Sequence, residues 1–535
     1  MNSQCFPFRQ IPHSTRLFLD YLDYRPSVQS FYPRSPRFRE WAAEESSRIR
    51  YPEERRNRVA ELLERQNRSF QASTKTLENI AKLRAGASAI VTGQQVGLLG
   101  GPLFSIYKAL SAIKLAEEAS TLGLRCVPVF WLATEDHDLE EVNQASIPVP
   151  EGGFEPFQTN APSASEAPVG TVSLGPEISE IVLRAEKLLG DGPITRLLAD
   201  CYTPGDTFGT AFRKFFVRVF ADSGVILIDG SDPELDEIAG PLYRAVVTRA
   251  AEFNRSLLER DRELRVADYH QQVHITHSTT PLFVIRDGRR IPVHLGQEKV
   301  FLIDKERIAD NDFLELAATS PASLSPNVLL RPIVQDYVLP TLAYVGGAAE
   351  VAYFAQAAVL YQALLGRITP ILPRFSATLI EAKAKSSLEK YQLTFRDLFS
   401  GPEALRERIG WHLFGHNLQN SFDRAQAAVT GVMAELSEAL GDLDKTLIES
   451  AKHAESKMLY QLTNLRSRAA RAELRQSEVA ERHARFLTNS LYPNKTLQER
   501  EIAAVYFLAK YSLELIPQLL RVIHSDCVDH QLISL

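Results

Sequence analysis

The stretch Ser88-Ala89-Ile90-Val91-Thr92-Gly93-Gln94-Gln95-Val96-Gly97-Leu98-Leu99-Gly100-Gly101-Pro102-Leu103 decides the fold. Ala89 to Thr92 is a short apolar run that reads as a buried strand, and four glycines then break any regular element. Pro102 suits a first helical position, and Leu103, Ile106, Leu110 and Ile113 recur behind it on one face. Gly123 stops that helix, and Val127 to Ala133 reads as a second buried strand. Strand, glycine turn, helix and strand make one βαβ unit, so the expected class is α/β with a Rossmann-like core.

The turn itself carries chemistry. Gly93, Gly97, Gly100 and Gly101 let the backbone approach a ligand closely, and the helix behind them aims its N–H groups and positive dipole end at the same place. Phosphate or a carboxylate is the expected ligand. The spacing is neither G-x-G-x-x-G nor G-x-x-x-x-G-K-[ST], which disfavours a dinucleotide fold and a Walker-type ATPase. A turn that needs small residues for helix–strand packing alone is the competing reading, but Gln94 and Gln95 add polar groups that packing does not require.

Moving outward, Thr134-Glu135-Asp136-His137-Asp138 directly follows the second strand. In open α/β sheets ligands lie outside the carboxyl ends of strands, near a switch point. His137 with Glu135 and Asp136 beside it is the expected catalytic group, acting as general base, with Asp138 and Thr92 among the substrate contacts. A polar helix start, with Asp136 or Asp138 as N-cap, is compatible with that role. A third segment, Tyr344-Val345-Gly346-Gly347-Ala348-Ala349-Glu350-Val351-Ala352-Tyr353, again runs from strand through glycines into helix. Glu350 would either complement the helix dipole or bind a substrate amine, with Tyr344 and Tyr353 positioning substrate. Arg374 would hold a carboxylate or phosphate, or make an ordinary ion pair. His270, His274 and His277 have a spacing open to metal binding, yet only Asp268 is near and no cysteine is, so no metal site is expected.

Residues 1–88 read as a largely helical N-terminal segment, and 89–380 as the core. Val225–Asp229, Leu342–Val345 and Ile368–Leu372 are its further expected strands. Insertions at about 150–205 and 233–325 are expected to wall the sheet's carboxyl edge, with Pro148–Pro176 as a loop or linker. Residues 381–492 form the expected coiled-coil arm. No proline falls between Glu403 and Tyr492, and Met433, Leu436, Leu440, Leu443 and Leu447 keep a 3-4-3-4 spacing. Met458, Leu462, Leu465 and Ala469 resume it, which predicts an antiparallel hairpin turning near 441–450 and a homodimer through the arm. A C-terminal segment, 493–535, is expected to pack back on the core.

Net charge is −6, which argues against a nucleic-acid-coating protein, and the arginines between Arg466 and Arg485 read as the solvated flank of a coiled coil. Four cysteines without paired spacing predict reduced thiols rather than a disulfide scaffold. Met1 to Ser14 lacks a signal-peptide pattern and the densest apolar run is too short to cross a bilayer, so a cytoplasmic protein without membrane contact is expected.

These motifs resemble the bacillithiol biosynthesis cysteine-adding enzymes, a family of bacterial cysteine ligases. The match runs from Thr92 to Leu103, through Phe130 to Asp138, then Ser325-Pro326-Asn327-Val328 with Arg331-Pro332 and Gln335. Leu339 to Tyr344, Leu372-Pro373-Arg374, and the tail from Gln498-Glu499-Arg500-Glu501 to His530-Gln531 also fit. The resemblance implies a core related to class I synthetases and nucleotidyltransferases, with connecting-peptide insertions and a dimerising coiled coil. It implies addition of L-cysteine to the amine of glucosaminyl-malate in the last step of bacillithiol biosynthesis. The Leu98-Leu99-Gly100-Gly101 turn stands where class I synthetases carry H-I-G-H, a signature this chain lacks.

Joining a free carboxylate to an amine in water is uphill, so ATP is the expected co-substrate, with Mg²⁺ only as its companion. His137 or Glu135 would deprotonate the attacking amine, while Gln94, Gln95, Tyr344 and Glu350 position substrates. Two rival classes stay open: another adenylate-forming enzyme of this fold, and a non-catalytic ligand-binding dimeric scaffold.

Overall fold

The computed structural model describes residues 1–150, 152–159, 167–297, 300–414, 416–476 and 478–535. The Pro148–Pro176 linker therefore lies partly outside the described residues. The chain divides into two compact units, one made of 1–147, 155–378 and 499–533, the other of 148–154, 379–498 and 534–535.

A five-stranded parallel sheet organises the first unit. Its strands are β1 (Ser88–Gln94), β2 (Cys126–Leu132), β3 (Ile226–Asp229), β4 (Thr341–Gly346) and β5 (Ile371–Pro373), in spatial order 5-4-1-2-3. All four ladders are parallel. The chain steps outward from β1 to β3, then returns to the far side of β1 for β4. That reversal makes the β1/β4 boundary the switch point, where the loops after both strands open together. The last strand starts three residues later than its apolar run suggests, just past Pro370, which has no N–H to donate.

β1 is central and buried along Ser88–Gly93, which is why it reads as a continuous apolar run rather than an alternation. Helix α1 (Leu103–Thr121) returns over the sheet. Its Ala112, Leu115, Ala116 and Ala119 pack with Ile90, Leu342, Val345, Phe38 and Trp41 in one buried cluster. The edge strand β3 is blunted by amides from the helix Glu53–Ser69. Asn67 Nδ2 donates to Leu227 O at 2.8 Å while its Oδ1 accepts from Leu227 N at 3.1 Å, and Gln66 Oε1 accepts from Asp229 N at 3.0 Å. Those bonds occupy groups that an exposed edge would offer to another chain. Phe216 of α2 (Phe208–Val219) meets Phe130 of β2 at 4.6 Å between centroids.

Between β3 and β4, helices Pro233–Thr248 and Ala250–Val266 lead into a five-stranded antiparallel sheet. Its first hairpin joins Thr279–Arg286 to Arg289–Leu295 through Asp287 and Gly288, both with positive φ (50° and 73°). That two-residue geometry matches the twist of the strands it connects. Leu324–Pro326 closes the sheet against Thr279–Arg286 and feeds α3 (Arg331–Val338). Helix α4 (Ala348–Leu365) follows β4. It is long and apolar enough to cross a membrane by composition, but Val351–Ala358, Leu360 and Tyr361 are buried. Gln356 inside it donates to Asp261 Oδ1 (2.7 Å) and Val273 O (2.8 Å), as befits a core helix.

The chain's ends meet in this unit, where the strand Asn2–Phe6 pairs with His530–Ser534. The expectation of four reduced thiols is corrected here: Cys5 and Cys527 are bonded, and Cys126 and Cys201 are free. No sequence spacing announces a pair 522 residues apart, because pairing of the termini brings it about.

The second unit is helical: α5 (Pro402–His412), α6 (His416–Leu443), α7 (Leu447–Gln476) and α8 (Glu478–Leu491). α6 and α7 form a hairpin whose turn is held by Asp444 Oδ1, which accepts from Thr446 N and Thr446 Oγ1, both at 2.9 Å. The turn falls inside the expected window. The seam differs from the heptad reading. Met433, Ala451 and Ala470 are buried, whereas Leu436, Leu443, Met458 and Leu465 are 47%, 79%, 48% and 56% exposed. α5 approaches α7 so closely that a Cβ on Gly410 would sit 2.3 Å from the backbone oxygen of Ala470, which selects glycine at 410.

Candidate active site

At the switch point, three elements are tied by one lysine. Lys108 of α1 donates to Gly93 O (2.7 Å) and Gln94 Oε1 (2.9 Å), and pairs with Glu350 Oε2 at 2.7 Å. Glu350, in the first turn of α4, also accepts from Gly347 N (2.6 Å) and Tyr344 OH (2.8 Å). Thr92 Oγ1 donates to Val345 O at 2.9 Å, closing β1 on β4. Burial raises the cost of charge on both partners. For Glu350 it is outweighed by Lys108 and the Gly347 N–H, so its carboxyl sits below its ordinary pKa. For Lys108 burial wins, and its pKa falls despite Glu350. The two directions describe one buried pair in which each partner makes three polar contacts, and burial weighs more heavily on the lysine.

Beside this lock lies a cavity of about 310 Å³, walled by the carboxyl edge of the parallel sheet and by the antiparallel insertion. Its polar side is Glu135, Asp136, His137, Arg290 and Arg331, and its other side includes Leu282, Phe283 and Val293. Gln95 Nε2 donates to Asp136 Oδ2 at 2.9 Å, and His137 N donates to Asp136 Oδ1 at 2.7 Å. Burial opposes the Asp136 charge, but Arg331, Arg290 and those donors prevail and lower its pKa. Glu135 behaves oppositely. Burial pushes its carboxyl above the ordinary value despite Arg331, and only Oε1 is hydrogen-bonded, from Trp131 Nε1 at 3.1 Å. Its Oε2 is buried without a partner among the described residues.

Arg290 projects from the insertion. Its Nε donates to Ser325 Oγ (3.1 Å), its Nη2 to Pro326 O, and the guanidinium lies 4.1 Å from the Phe283 centroid. Its Nη1 reaches His137 Nδ1 at 3.0 Å. Arginine has only donors, so Nδ1 accepts in this arrangement and the ring proton resides on Nε2. His137 is thereby set up to donate into the cavity rather than to accept. Arg331 opens α3, where Asn327 Oδ1 accepts from Leu329 N (2.9 Å) and Leu330 N (3.0 Å) and fixes the helix start. Arg331 Nη2 donates to Tyr353 OH at 3.3 Å, and its Nε is buried without a partner among the described residues. The nearby tyrosines and carboxylates keep this guanidinium charged, outweighing burial. Glu135 and Arg331, each with one enclosed and unpaired polar atom, thus line one cavity.

Residues 1–375 match the family model for the N-terminal Rossmann-like domain of bacillithiol biosynthesis BshC, and 377–535 that for its C-terminal coiled-coil domain. The chain belongs to the bacillithiol biosynthesis BshC family. Proteins named "Putative cysteine ligase BshC" align over almost their whole length. The Koribacter versatilis protein is 44% identical over 100% of both chains, that of Solibacter usitatus 34% over 99% of both, and that of Salinibacter ruber 32% over 97% of this chain and 96% of its own.

Within this BshC-family fold the sequence-derived residues separate into groups. Glu135, Asp136 and His137 line the cavity, and Gln95 touches Asp136. Gln94, Tyr344, Glu350 and Thr92 belong to the lock, with Tyr353 joining it to Arg331. Asp138 serves as N-cap of Leu139–Val142, accepting from Glu141 N at 3.3 Å. His274 lines the cavity without a metal-holding cluster around it among the described residues.

Two expectations are corrected by geometry. The glycine turn is packed and not open. Gly97 N donates to Gln95 O, Gly100 N to Tyr202 OH (2.7 Å) and Gly101 N to Leu98 O, so these groups are occupied within the chain. Gly100, at φ +82°, would put a Cβ 2.5 Å from the Phe215 ring, and Leu103 N at the head of α1 donates to Ile502 O. Helix packing, then, is what these three glycines satisfy, and they form no phosphate cradle; Gly93 alone reaches the lock, through its carbonyl. Arg374 is likewise committed. Its side chain is 7% exposed and pairs with the fully buried Glu499, which also accepts from Ser376 Oγ (2.9 Å) and Ala377 N (2.9 Å). That network braces the end of β5, with Arg374 N on Gly346 O at 2.7 Å.

Lys108, Arg290 and Arg331 are the residues of this candidate site that sequence reasoning passed over. Arg331 stands in the quoted Ser325…Arg331-Pro332 motif, so a signal existed. Arg290 follows Asp287-Gly288, a hairpin signal flanked by alternating residues. Lys108 sits mid-helix with nothing local to distinguish it.

Proposed function

We propose that this chain joins the carboxyl of L-cysteine to the amine of glucosaminyl-malate, the last step of bacillithiol biosynthesis, after nucleotide-dependent activation of the carboxyl. The observation that carries this reading is the pairing, in one cavity at the switch point, of a half-satisfied buried carboxylate (Glu135) with a half-satisfied guanidinium (Arg331). The names of the relatives support the same chemistry.

The amine substrate carries two carboxylates. Arg331, with donors to spare, holds one, and the remaining donors of Arg290 contribute to the same anionic end. The ammonium must lose a proton before its nitrogen can attack. Glu135 accepts it, since burial makes this carboxylate more basic than an exposed one. His137 donates from Nε2 to the oxygen on which negative charge develops at the reacting carboxyl. Leu282, Phe283 and Val293 give the apolar wall that suits a cysteine side chain and limits water. ATP, accompanied by Mg²⁺, is the co-substrate in this reading; its binding falls outside the packed glycine turn.

The working unit is a homodimer formed through the exposed leucines and Met458 of α6 and α7, acting in the cytoplasm on small molecules and not on nucleic acid or membrane. The decisive test incubates pure full-length protein with ATP, L-cysteine and glucosaminyl-malate. Formation of the cysteinyl product with AMP or ADP release supports the reading, and the nucleotide released identifies the activated species. Thermal stabilisation by the sugar without any product would favour a binding scaffold instead.

A further inference from the structure

The four cysteines fall into two chemical classes. Burial pushes the Cys126 thiol up to about 12 and the Cys201 thiol up to about 11, so both stay protonated and are poor nucleophiles. Cys5 and Cys527 are different. Their Cα atoms lie 6.3 Å apart, within the range a disulfide requires, and Cys5 is exposed on the strand Asn2–Phe6. Cys527 lines a small cavity of about 50 Å³ together with Lys114, whose positive charge favours a departing thiolate.

We propose that Cys5–Cys527 is a thiol-exchange site for low-molecular-weight thiols, with Cys5 as the sulfur attacked and Cys527 as the leaving group. A small thiolate attacks Cys5 Sγ along the exposed side. A new sulfur–sulfur bond forms at Cys5 as the bond to Cys527 breaks, and the electron pair leaves on Cys527 Sγ, which takes a proton from water. A second thiolate attacks the outer sulfur of the mixed disulfide. It releases the small-molecule disulfide and returns Cys5 as a thiolate, so two small thiols are oxidised as the protein disulfide is reduced.

The fold says what the exchange changes. The strand Asn2–Phe6 has no fully buried residue; the ties beside its strand pairing include Ser3 Oγ to Gln531 Oε1 and Phe8 N to Asp529 Oδ1, both 2.9 Å, and the Phe8 ring, 5.9 Å from His530 between centroids. Its neighbour strand is anchored differently. His530 is fully buried between Ser376 Oγ (2.7 Å) and Thr378 Oγ1 (2.9 Å). Exchange therefore frees the N-terminal strand while the C-terminal one stays in place. This site is independent of the ligase reading and stands or falls separately from it.

The test equilibrates full-length protein with mixtures of 2-mercaptoethanol and its disulfide, quenches in acid, alkylates, and maps each cysteine by mass. The expected result is a mercaptoethanol adduct on Cys5 at intermediate mixtures, a Cys5–Cys527 link at the oxidising end, and unmodified Cys126 and Cys201 throughout. In C527S the adduct on Cys5 should persist, since no resolving thiol remains. Amide exchange across residues 2–6 should quicken by roughly tenfold or more on reduction while Ser88–Gln94 is unchanged. Failure of Cys5 and Cys527 to pair in the most oxidising mixture overturns the proposal, as does labelling of Cys126 or Cys201 as readily as Cys5.

Discussion

Replacing Lys108 by methionine tests whether the switch point is a stressed electrostatic lock or an ordinary hydrophobic contact. Methionine keeps the linear stem but strands Gly93 O, Gln94 Oε1 and Glu350 Oε2, which lysine reaches at 2.7, 2.9 and 2.7 Å. Breaking a buried ion pair from one side costs about 3–5 kcal/mol. Glu350 keeps Tyr344 OH and the Gly347 N–H, so the lower end, about 3 kcal/mol, is expected, or more than a hundredfold in the unfolding equilibrium. K108M/E350Q should recover about 1–2 kcal/mol of that loss, because glutamine leaves no stranded charge. The pH dependence has a definite sign. In the native chain the depressed Glu350 pKa contributes stability above the unfolded carboxylate value, and this is lost as pH falls through the lower folded value. In K108M burial dominates and the carboxyl rises, so the deficit is largest near pH 7 and shrinks toward about pH 5. Urea unfolding followed by tryptophan fluorescence measures this in a W411F background, because Trp41 and Trp131 report on the first unit and Trp411 on the second. A loss below about 1 kcal/mol, strictly additive single changes, or a deficit that grows on acidification would refute the lock.

Arg331→Met should raise KM for the dicarboxylate amine by roughly 30- to 100-fold, the equivalent of about 2–3 kcal/mol for a lost charge-assisted contact, with KM for cysteine little changed; steady-state kinetics decide this. Glu135→Gln should lower kcat by about 10²-fold or more at unchanged melting temperature, and His137→Asn should cost less, if the proton goes to Glu135; equal losses would return His137 to the base's role. Glu499→Gln should cost about 3–5 kcal/mol near neutrality. Because the Glu499 pKa is lowered, its stabilisation disappears as pH falls through the folded value, so the variant's acid limb should be flatter than the native one in thermal melts. Changing Leu436, Leu443, Met458 and Leu465 to glutamine should convert a dimer to a monomer by light scattering without lowering the melting temperature of the first unit.

The local grammar of the chain was sufficient for the βαβ unit, the later strands, the helical hairpin and its turn. Each of these rests on periodicity within about 20 residues, and burial of an apolar face enforces that periodicity wherever the segment packs. The loops at 93–95, 134–138 and 344–350 were recognisable for the same reason, since parallel strands must present their following turns at one edge. What tertiary structure alone decided is who faces whom. β1 and β4 are neighbours although some 250 residues separate Val91 from Tyr344, and that pairing turns Lys108 from an unremarkable helical lysine into the lock. Arg290 and Arg331 came to line one cavity only when a separate antiparallel sheet was laid over the parallel one. The glycine turn shows the converse limit: small residues signal close approach, but whether a phosphate or a phenylalanine does the approaching depends on Tyr202 and Phe215, a hundred residues away.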